Sequence, residues 1–266
     1  MKIYNFAVIG KDVSKSTSPE IHSFIAERLG YKINYKKISV PENEFVNKVG
    51  KLFEELDGFN VTIPYKLSVI PYLTETFGDA KIFGAVNTVK CDGRLGYNTD
   101  GAGFSLMLEN GGVNAKGEKV LLLGAGGAGR SVAKKLSDSG ALVEVFDVNK
   151  ESSKKLAAEF RGVMSLDEIK PYNYFLIINA TGIGMHKTEG ISPVGEEILK
   201  NCAVAADLIY YPEKSAFLSL AETLGKKIIN GASMLFYQAY FADCIYFGRK
   251  ASASEARKLF EEYKEK

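Results

Sequence analysis

The segment Val120-Leu121-Leu122-Leu123-Gly124-Ala125-Gly126-Gly127-Ala128-Gly129 constrains the fold more than any other stretch of the chain. A GxGxxG match alone is weak, but here an apolar run precedes it and a helical pattern, Arg130–Ser139, follows it. That context predicts the first strand, turn and helix of a dinucleotide-binding unit. Gly124 permits the tight turn, Gly126 lets the backbone approach a pyrophosphate, and Gly129 allows close packing of helix on strand. The helix N-terminus supplies N–H groups and a favourable dipole for the anion. A second strand, Leu142–Asp147, places Asp147 23 residues after Gly124, close to the usual offset of a ribose-binding acid. Such a carboxylate accepts both ribose hydroxyls of NAD and repels the 2′-phosphate of NADP. Lys150 and Lys154 can offset the repulsion, so the sequence leans towards NAD and leaves NADP open. The plainer alternatives are a glycine-rich turn with no ligand and an Asp147 that only ends a strand.

The remainder of the chain alternates strand-like and helical segments, which argues for α/β architecture with parallel sheets. Before the glycine loop, strands are expected at Ile3–Ile9, Tyr35–Ile38, Gly58–Ile63 and Val86–Lys90. A helix opens at Ser18-Pro19-Glu20, with the serine as cap and proline in the first turn. Another spans Glu42 to Leu56. Ala102–Asn110 reads as a connecting helix stopped by Gly111-Gly112. Further strands are expected at Tyr174–Asn179, Ala203–Ile209 and near Lys227–Ile229, and helices at Met234–Phe247 and Ser254–Lys264. Two domains follow: residues 1–100 with about 236–266, mostly parallel α/β, and residues 101–235, Rossmann-type.

Composition limits the function. With 34 basic and 32 acidic residues the charge is too balanced for a nucleic-acid or membrane-surface footprint. No apolar run approaches the length of a membrane span, and the short run at the N-terminus reads as a strand rather than a signal peptide. Cys91, Cys202 and Cys244 are far apart and form no CxxC, which fits a reducing cytoplasm better than a disulfide framework. Two isolated histidines, His22 and His186, cannot supply a multi-histidine metal centre, so no metal is expected.

Several segments then come into view together. They are Ser16-Thr17-Ser18-Pro19, Asn60-Val61-Thr62-Ile63-Pro64-Tyr65-Lys66, Gly84-Ala85-Val86-Asn87-Thr88-Val89 and Asn98-Thr99-Asp100-Gly101. Later come Asn179-Ala180-Thr181, Asp207-Leu208-Ile209-Tyr210 and Gly231-Ala232-Ser233-Met234-Leu235 followed by Gln238. In this order and spacing, over nearly the whole chain, the sequence resembles the shikimate dehydrogenase family. The residues suit a polyol-acid site in their own right. Two serines before a helix can hold a carboxylate. An unperturbed lysine titrates near pH 10.4, so proton transfer near neutrality requires tuning, and burial and a nearby carboxylate push it in opposite directions.

The resemblance implies reversible hydride transfer between NAD(P) and C3 of shikimate, in aromatic amino-acid (chorismate) biosynthesis, with Lys66 and Asp100 as the catalytic pair. It places Ser16 and Ser18 at the C1 carboxylate and Thr62, Asn87 and Gln238 at ring hydroxyls. Tyr210 falls at the substrate, and Leu208, Gly231 and Met234 near the nicotinamide. With the glycine loop (Gly124, Ala125, Gly126, Gly127, Ala128, Gly129), Asp147, Asn149, Lys150 and Thr181 complete the cofactor set. The expected partner is a small-molecule substrate, on a monomer or homodimer, and the two-domain plan suggests a cleft able to close.

The chain departs from the family at points that bear on the cofactor. NADP-using members commonly carry Asn-Arg-Thr where Asp147-Val148-Asn149 stands, so the guanidinium fork for a 2′-phosphate is missing. Tryptophan is absent altogether, and Tyr246 or Phe247 fills the family's C-terminal tryptophan position; Asp12 stands where proline is usual. Tyr210-Tyr211-Pro212-Glu213-Lys214 mimics the YxxxK of short-chain dehydrogenases, but Pro212 opposes the helix that motif needs. The alternatives are a quinate/shikimate dehydrogenase using NAD, against which Ser18 speaks, and a non-catalytic NAD-sensing regulator, against which the retained Lys66 and Asp100 speak.

Overall fold

The first apolar run becomes an inner strand, covered on both faces at its C-terminal end. In the computed structural model, which describes residues 2–266, it is β1 (Ile3–Gly10). There follow α1 (Ser18–Arg28), β2 (Lys32–Ser39), α2 (Phe45–Glu55), β3 (Gly58–Val61), β4 (Glu75–Thr76), α3 (Asp79–Phe83), β5 (Thr88–Lys90), β6 (Leu95–Tyr97) and α4 (Asp100–Asn110). The six strands form one sheet in the order β2-β1-β3-β5-β6-β4. Its β1–β2, β1–β3 and β4–β6 pairs are parallel, while β5 runs antiparallel to both β3 and β6. Ala7 and Ile9 pack with Val49 and Leu52 of α2 on one face. Phe6 packs on the other, stacked on Tyr246 with ring centroids 4.5 Å apart. Burial of both faces explains why the C-terminal half of β1 reads as an unbroken apolar run.

The second sheet is wholly parallel. Its elements are β7 (Lys119–Leu123), α5 (Gly127–Ser139), β8 (Leu142–Phe146), α6 (Lys150–Glu159), β9 (Val163–Ser165), β10 (Tyr174–Asn179), α7 (Glu196–Leu199), β11 (Cys202–Asp207), α8 (Ala216–Thr223) and β12 (Lys227–Ile229). The strand order is β12-β11-β10-β7-β8-β9. The chain leaves β7 in one direction to β8 and β9, then returns to β10 on its other side. Ligands of such sheets bind outside the C-terminal strand ends at this reversal. The chain ends in α9 (Ala232–Phe247) and α10 (Ala253–Lys264). It divides into two compact units: everything up to Gly103 with Phe236–Lys266, and Phe104–Leu235. Among the described residues no helix is long and apolar enough to cross a membrane.

The expected cap of α1 is corrected. Ser18 is the first helical residue, Thr17 occupies the cap position, and no side chain caps the helix. The Ser18 N–H is instead satisfied by Ser16 Oγ at 3.2 Å, two residues upstream. The helix expected over 42–56 begins as a short 3-10 turn, Glu42–Glu44. α6 had no apolar period to read, because only Ser153 and Leu156 of its ten residues are buried. β9 is three residues with one buried, too short for a pattern.

Candidate active site

β3 delivers the chain into a turn that fixes Lys66. Thr62 N–H donates to Ile9 O at 2.8 Å, and Tyr65 N–H returns to Thr62 O at 2.9 Å. Tyr65 is buried, stacks on Phe45 at 4.2 Å, and donates its hydroxyl to Val40 O. Lys66 follows this anchor directly, and its own carbonyl accepts from Val86 N–H at 2.8 Å. The ammonium lies 2.6 Å from Asp100 Oδ2, with side-chain exposures of 17% and 11%. Asp100 opens α4, and its N–H donates to Asn98 Oδ1 at 3.1 Å. Its second oxygen, Oδ1, accepts from Asn87 Nδ2 at 2.8 Å. Both carboxylate oxygens are therefore engaged by donors, which keeps a buried anion satisfied and aimed. Lys66, Asp100 and Asn87 thus meet as one hydrogen-bonded group.

Ser16 and Ser18 also meet: Ser16 Oγ donates to Ser18 Oγ at 2.9 Å at the start of α1. Thr62 and Gln238 are half-buried, Gln238 on α9. All these residues belong to the unit that holds the first sheet, whereas Tyr210 belongs to the other unit with the cofactor set.

In the second unit the glycine loop is fitted tightly on one side and open on the other. Gly124 has φ of +101°, the left-handed side favoured by glycine. A Cβ on Gly129 would lie 2.1 Å from Gly124 O, so α5 sits against the turn with no room for a side chain. Beside Gly126 and Gly127 nothing lies within 4 Å of a built Cβ. A tight turn, an open space beside Gly126 and Gly127, and the N-terminus of a 13-residue helix fit a pyrophosphate. Asp147 Oδ2 accepts from Ala125 N–H at 2.7 Å, and Oδ1 from Asn149 N–H at 2.8 Å, so the carboxylate ties the loop to the end of β8. Asn149 caps α6 by accepting from Glu151 N–H. Lys150 lies 3.8 Å from Asp167, and Val148 is 88% exposed.

Asn179 and Asp207, not predicted as site groups, draw Thr181 and Leu208 together, and Gly231 N–H joins them by donating to Ile209 O at 3.1 Å. Asn179 Oδ1 accepts from Thr181 Oγ1 at 2.6 Å, and Asn179 O accepts from Leu208 N–H at 2.9 Å. Asn179 Nδ2 donates at 3.0 Å to Asp207, which is fully buried and also accepts from Ile209 N–H and Ser215 Oγ. Burial pushes the Asp207 carboxyl above its ordinary range, while the bonds from Ser215, Ile209 and Asn179 oppose that push. Gly231 leaves no space for a Cβ, which would stand 2.2 Å from Leu208 O, and Met234 is buried. The signal for Asn179 and Asp207 was a polar residue closing an apolar strand. Tyr210 lies in the irregular segment that follows β11, and the Tyr210–Lys214 stretch is not helical, as Pro212 predicts.

Comparison with known proteins agrees with this architecture. Residues 8–89 match a family profile described as the shikimate dehydrogenase substrate binding domain. A shikimate dehydrogenase (NADP(+)) from Carboxydothermus hydrogenoformans is 38% identical, with 88% of each chain covered. One from Clostridium perfringens is 37% identical, covering 97% of this chain and 98% of its own. The crystal structure of shikimate 5-dehydrogenase from Thermus thermophilus in complex with NADP(H) and shikimate superposes with a TM-score of 0.87 at 34% identity, covering 96% of this chain and 98% of that one. On the strength of that similarity along almost its entire length, the chain belongs to the shikimate dehydrogenase family.

Proposed function

We propose that this protein is an oxidoreductase that reversibly reduces 3-dehydroshikimate to shikimate with a nicotinamide dinucleotide, in aromatic amino-acid biosynthesis. The observation that carries the reading is the 2.6 Å contact between Lys66 Nζ and Asp100 Oδ2, with Asn87 on the other carboxylate oxygen. The first unit serves the substrate and the second the dinucleotide. Gly124, Ala125, Gly126, Gly127, Ala128 and Gly129 would hold the pyrophosphate, Asp147, Asn149 and Lys150 the ribose end, and Thr181, Leu208, Gly231 and Met234 the nicotinamide. The bound dinucleotide supplies or accepts the hydride. Lys66 Nζ gives its proton to the oxygen at C3 as negative charge develops there during reduction, and takes it back in the reverse direction. Asp100 holds Lys66 and accepts from a ring hydroxyl, and Asn87, Thr62, Gln238 and Tyr210 contact the remaining hydroxyls. Ser16 and Ser18 bind the C1 carboxylate at the N-terminus of α1, where the helix dipole favours an anion.

The relatives named above carry NADP(+) in their names, and the preference of this chain turns on Asp147. Its carboxylate can accept from a 2′-hydroxyl and opposes a 2′-phosphate, while exposed Val148 brings no charge to that position. These features support a preference for NAD. Initial rates with shikimate and quinate, each against NAD and NADP, test both parts of the reading. Turnover of shikimate is expected, with the higher kcat/KM on NAD, and Asp147→Ala should narrow or reverse that preference. No turnover of shikimate with either dinucleotide would sink the reaction, and a strong wild-type preference for NADP would sink the role of Asp147 alone.

A further inference from the structure

Behind the Lys66–Asp100 pair lies a line of buried polar side chains joined by hydrogen bonds. At its inner end, Asn60 Nδ2 stands 3.2 Å from Asn87 O, a backbone carbonyl that can only accept. This fixes which end of the Asn60 amide is nitrogen, so its Oδ1 accepts from the hydroxyls of Tyr35 (2.7 Å) and Tyr246 (3.1 Å). Asn60 Nδ2 also donates to Thr88 Oγ1 at 3.2 Å. The hydroxyl of Thr88 donates to Asn87 Oδ1, 2.8 Å away, its contact with Thr99 Oγ1 being the longer at 3.5 Å. At the outer end Thr99 N–H, which can only donate, also points at Asn87 Oδ1, at 2.9 Å. The oxygen of the Asn87 amide is therefore held by Thr88 and Thr99, and its nitrogen faces Asp100 Oδ1 at 2.8 Å. Thr88 is fully buried, and Asn60 and Asn87 nearly so. A polar group there is expensive unless bonded, so the line is satisfied in this sense or strongly penalised.

We propose that Thr88, backed by Asn60, is a positioning residue that locks the Asn87 amide with its donor face on Asp100 and so holds the carboxylate for Lys66. Thr88 is fully buried, and its hydroxyl bonds to side chains of the protein. The inference rests on Lys66 and Asp100 being the reacting pair, and deepens that reading.

The test compares Thr88→Val, which keeps the shape and loses the hydroxyl, with Thr88→Ser, which keeps the hydroxyl and loses a methyl. Loss of one such hydrogen bond should lower kcat of Thr88→Val about tenfold, with KM for shikimate changed less than about threefold. Thr88→Ser should stay within about threefold of wild type in kcat, although removal of a buried methyl lowers its Tm below that of wild type. A purely structural role predicts that the two variants lose activity only in proportion to their loss of Tm. If Thr88→Val fails to fold, Thr88→Ser alone decides: a serine variant as impaired as about tenfold overturns the proposal. A valine variant within about threefold of wild type overturns it too. In parallel, solvent exchange of the Asn87 side-chain amide protons is followed by NMR on asparagine-labelled protein, with no substrate present. Protection retained in the serine variant and lost in the valine variant supports the lock, and equal protection in both refutes it. Wild type inactive on shikimate with NAD and NADP would defeat the functional reading, while the exchange measurement still tests the lock.

Discussion

Replacing Gly129 and Gly126 by alanine, one at a time, should separate the two tasks of the glycine loop: holding the fold and admitting a ligand. At position 129 the added Cβ would stand 2.1 Å from Gly124 O and 2.9 Å from Gly124 C. Both are backbone atoms, so no rotamer change relieves the clash; α5 must back away from the β7 turn by more than an ångström. Overpacking of this kind costs about 1–3 kcal/mol, and each kcal/mol lowers Tm by about 2–4 °C for a chain of this size. At position 126 the backbone is extended, with φ −71°, and a built Cβ meets nothing within 4 Å. Alanine there should leave the apo Tm within about 1 °C, or raise it slightly by restricting the unfolded chain. It would occupy the space in which a pyrophosphate approaches the backbone, so the Kd for dinucleotide should rise at least about tenfold, equivalent to about 1.4 kcal/mol. Thermal melts of the apo proteins and fluorescence titrations with NAD and NADP read the two effects independently. A Gly126→Ala protein that binds dinucleotide as wild type does, or a Gly129→Ala protein that melts at the wild-type temperature, would refute this division of labour.

Two further outcomes follow from the same geometry. Lys66→Ala should lower kcat by about 10²–10⁴-fold with a much smaller change in shikimate affinity, as removal of a general acid requires; weaker binding with intact turnover would contradict the proton-transfer role. Asp207→Asn should gain stability relative to wild type as pH rises. Burial raises the folded carboxyl above its unfolded value, so its stabilising contribution is present below about pH 3.9 and lost as pH climbs through the folded value. Urea midpoints measured from pH 4 to pH 8 check the sign, and a gap between variant and wild type that does not move with pH would contradict it.

The glycine loop, the strands β7, β10 and β12, and the long C-terminal helices were legible because apolar period and turn chemistry agree there. Lys66 and Asp100 were legible as motif residues, yet nothing local reveals that 34 positions of chain close to a 2.6 Å contact. Their meeting depends on β3 pairing with β5 and on β6 turning back into α4, antiparallel contacts that short strands conceal. α6 escaped notice because a polar helix lying on a sheet needs few apolar positions. The inward-facing polar line from Asn60 to Asn87 was invisible for a related reason. In sequence, an asparagine in a strand reads as a weak strand former, and only burial turns it into a constraint.

The unit that carries Lys66 is discontinuous, and this sets an order of events during synthesis. Phe6 waits for Tyr246, and His22 for Asp243, its buried partner at 2.6 Å and 221 positions downstream. A ribosome emits every strand of the second sheet before it emits α9 and α10. The second unit can therefore complete its core on the nascent chain, while the face of the first sheet around Phe6, which α1 covers only in part, waits for the final helices. Premature termination near residue 235 would release a polypeptide with the glycine loop finished and the lysine-bearing half still open, the kind of product that chaperones and proteases sort from the mature protein.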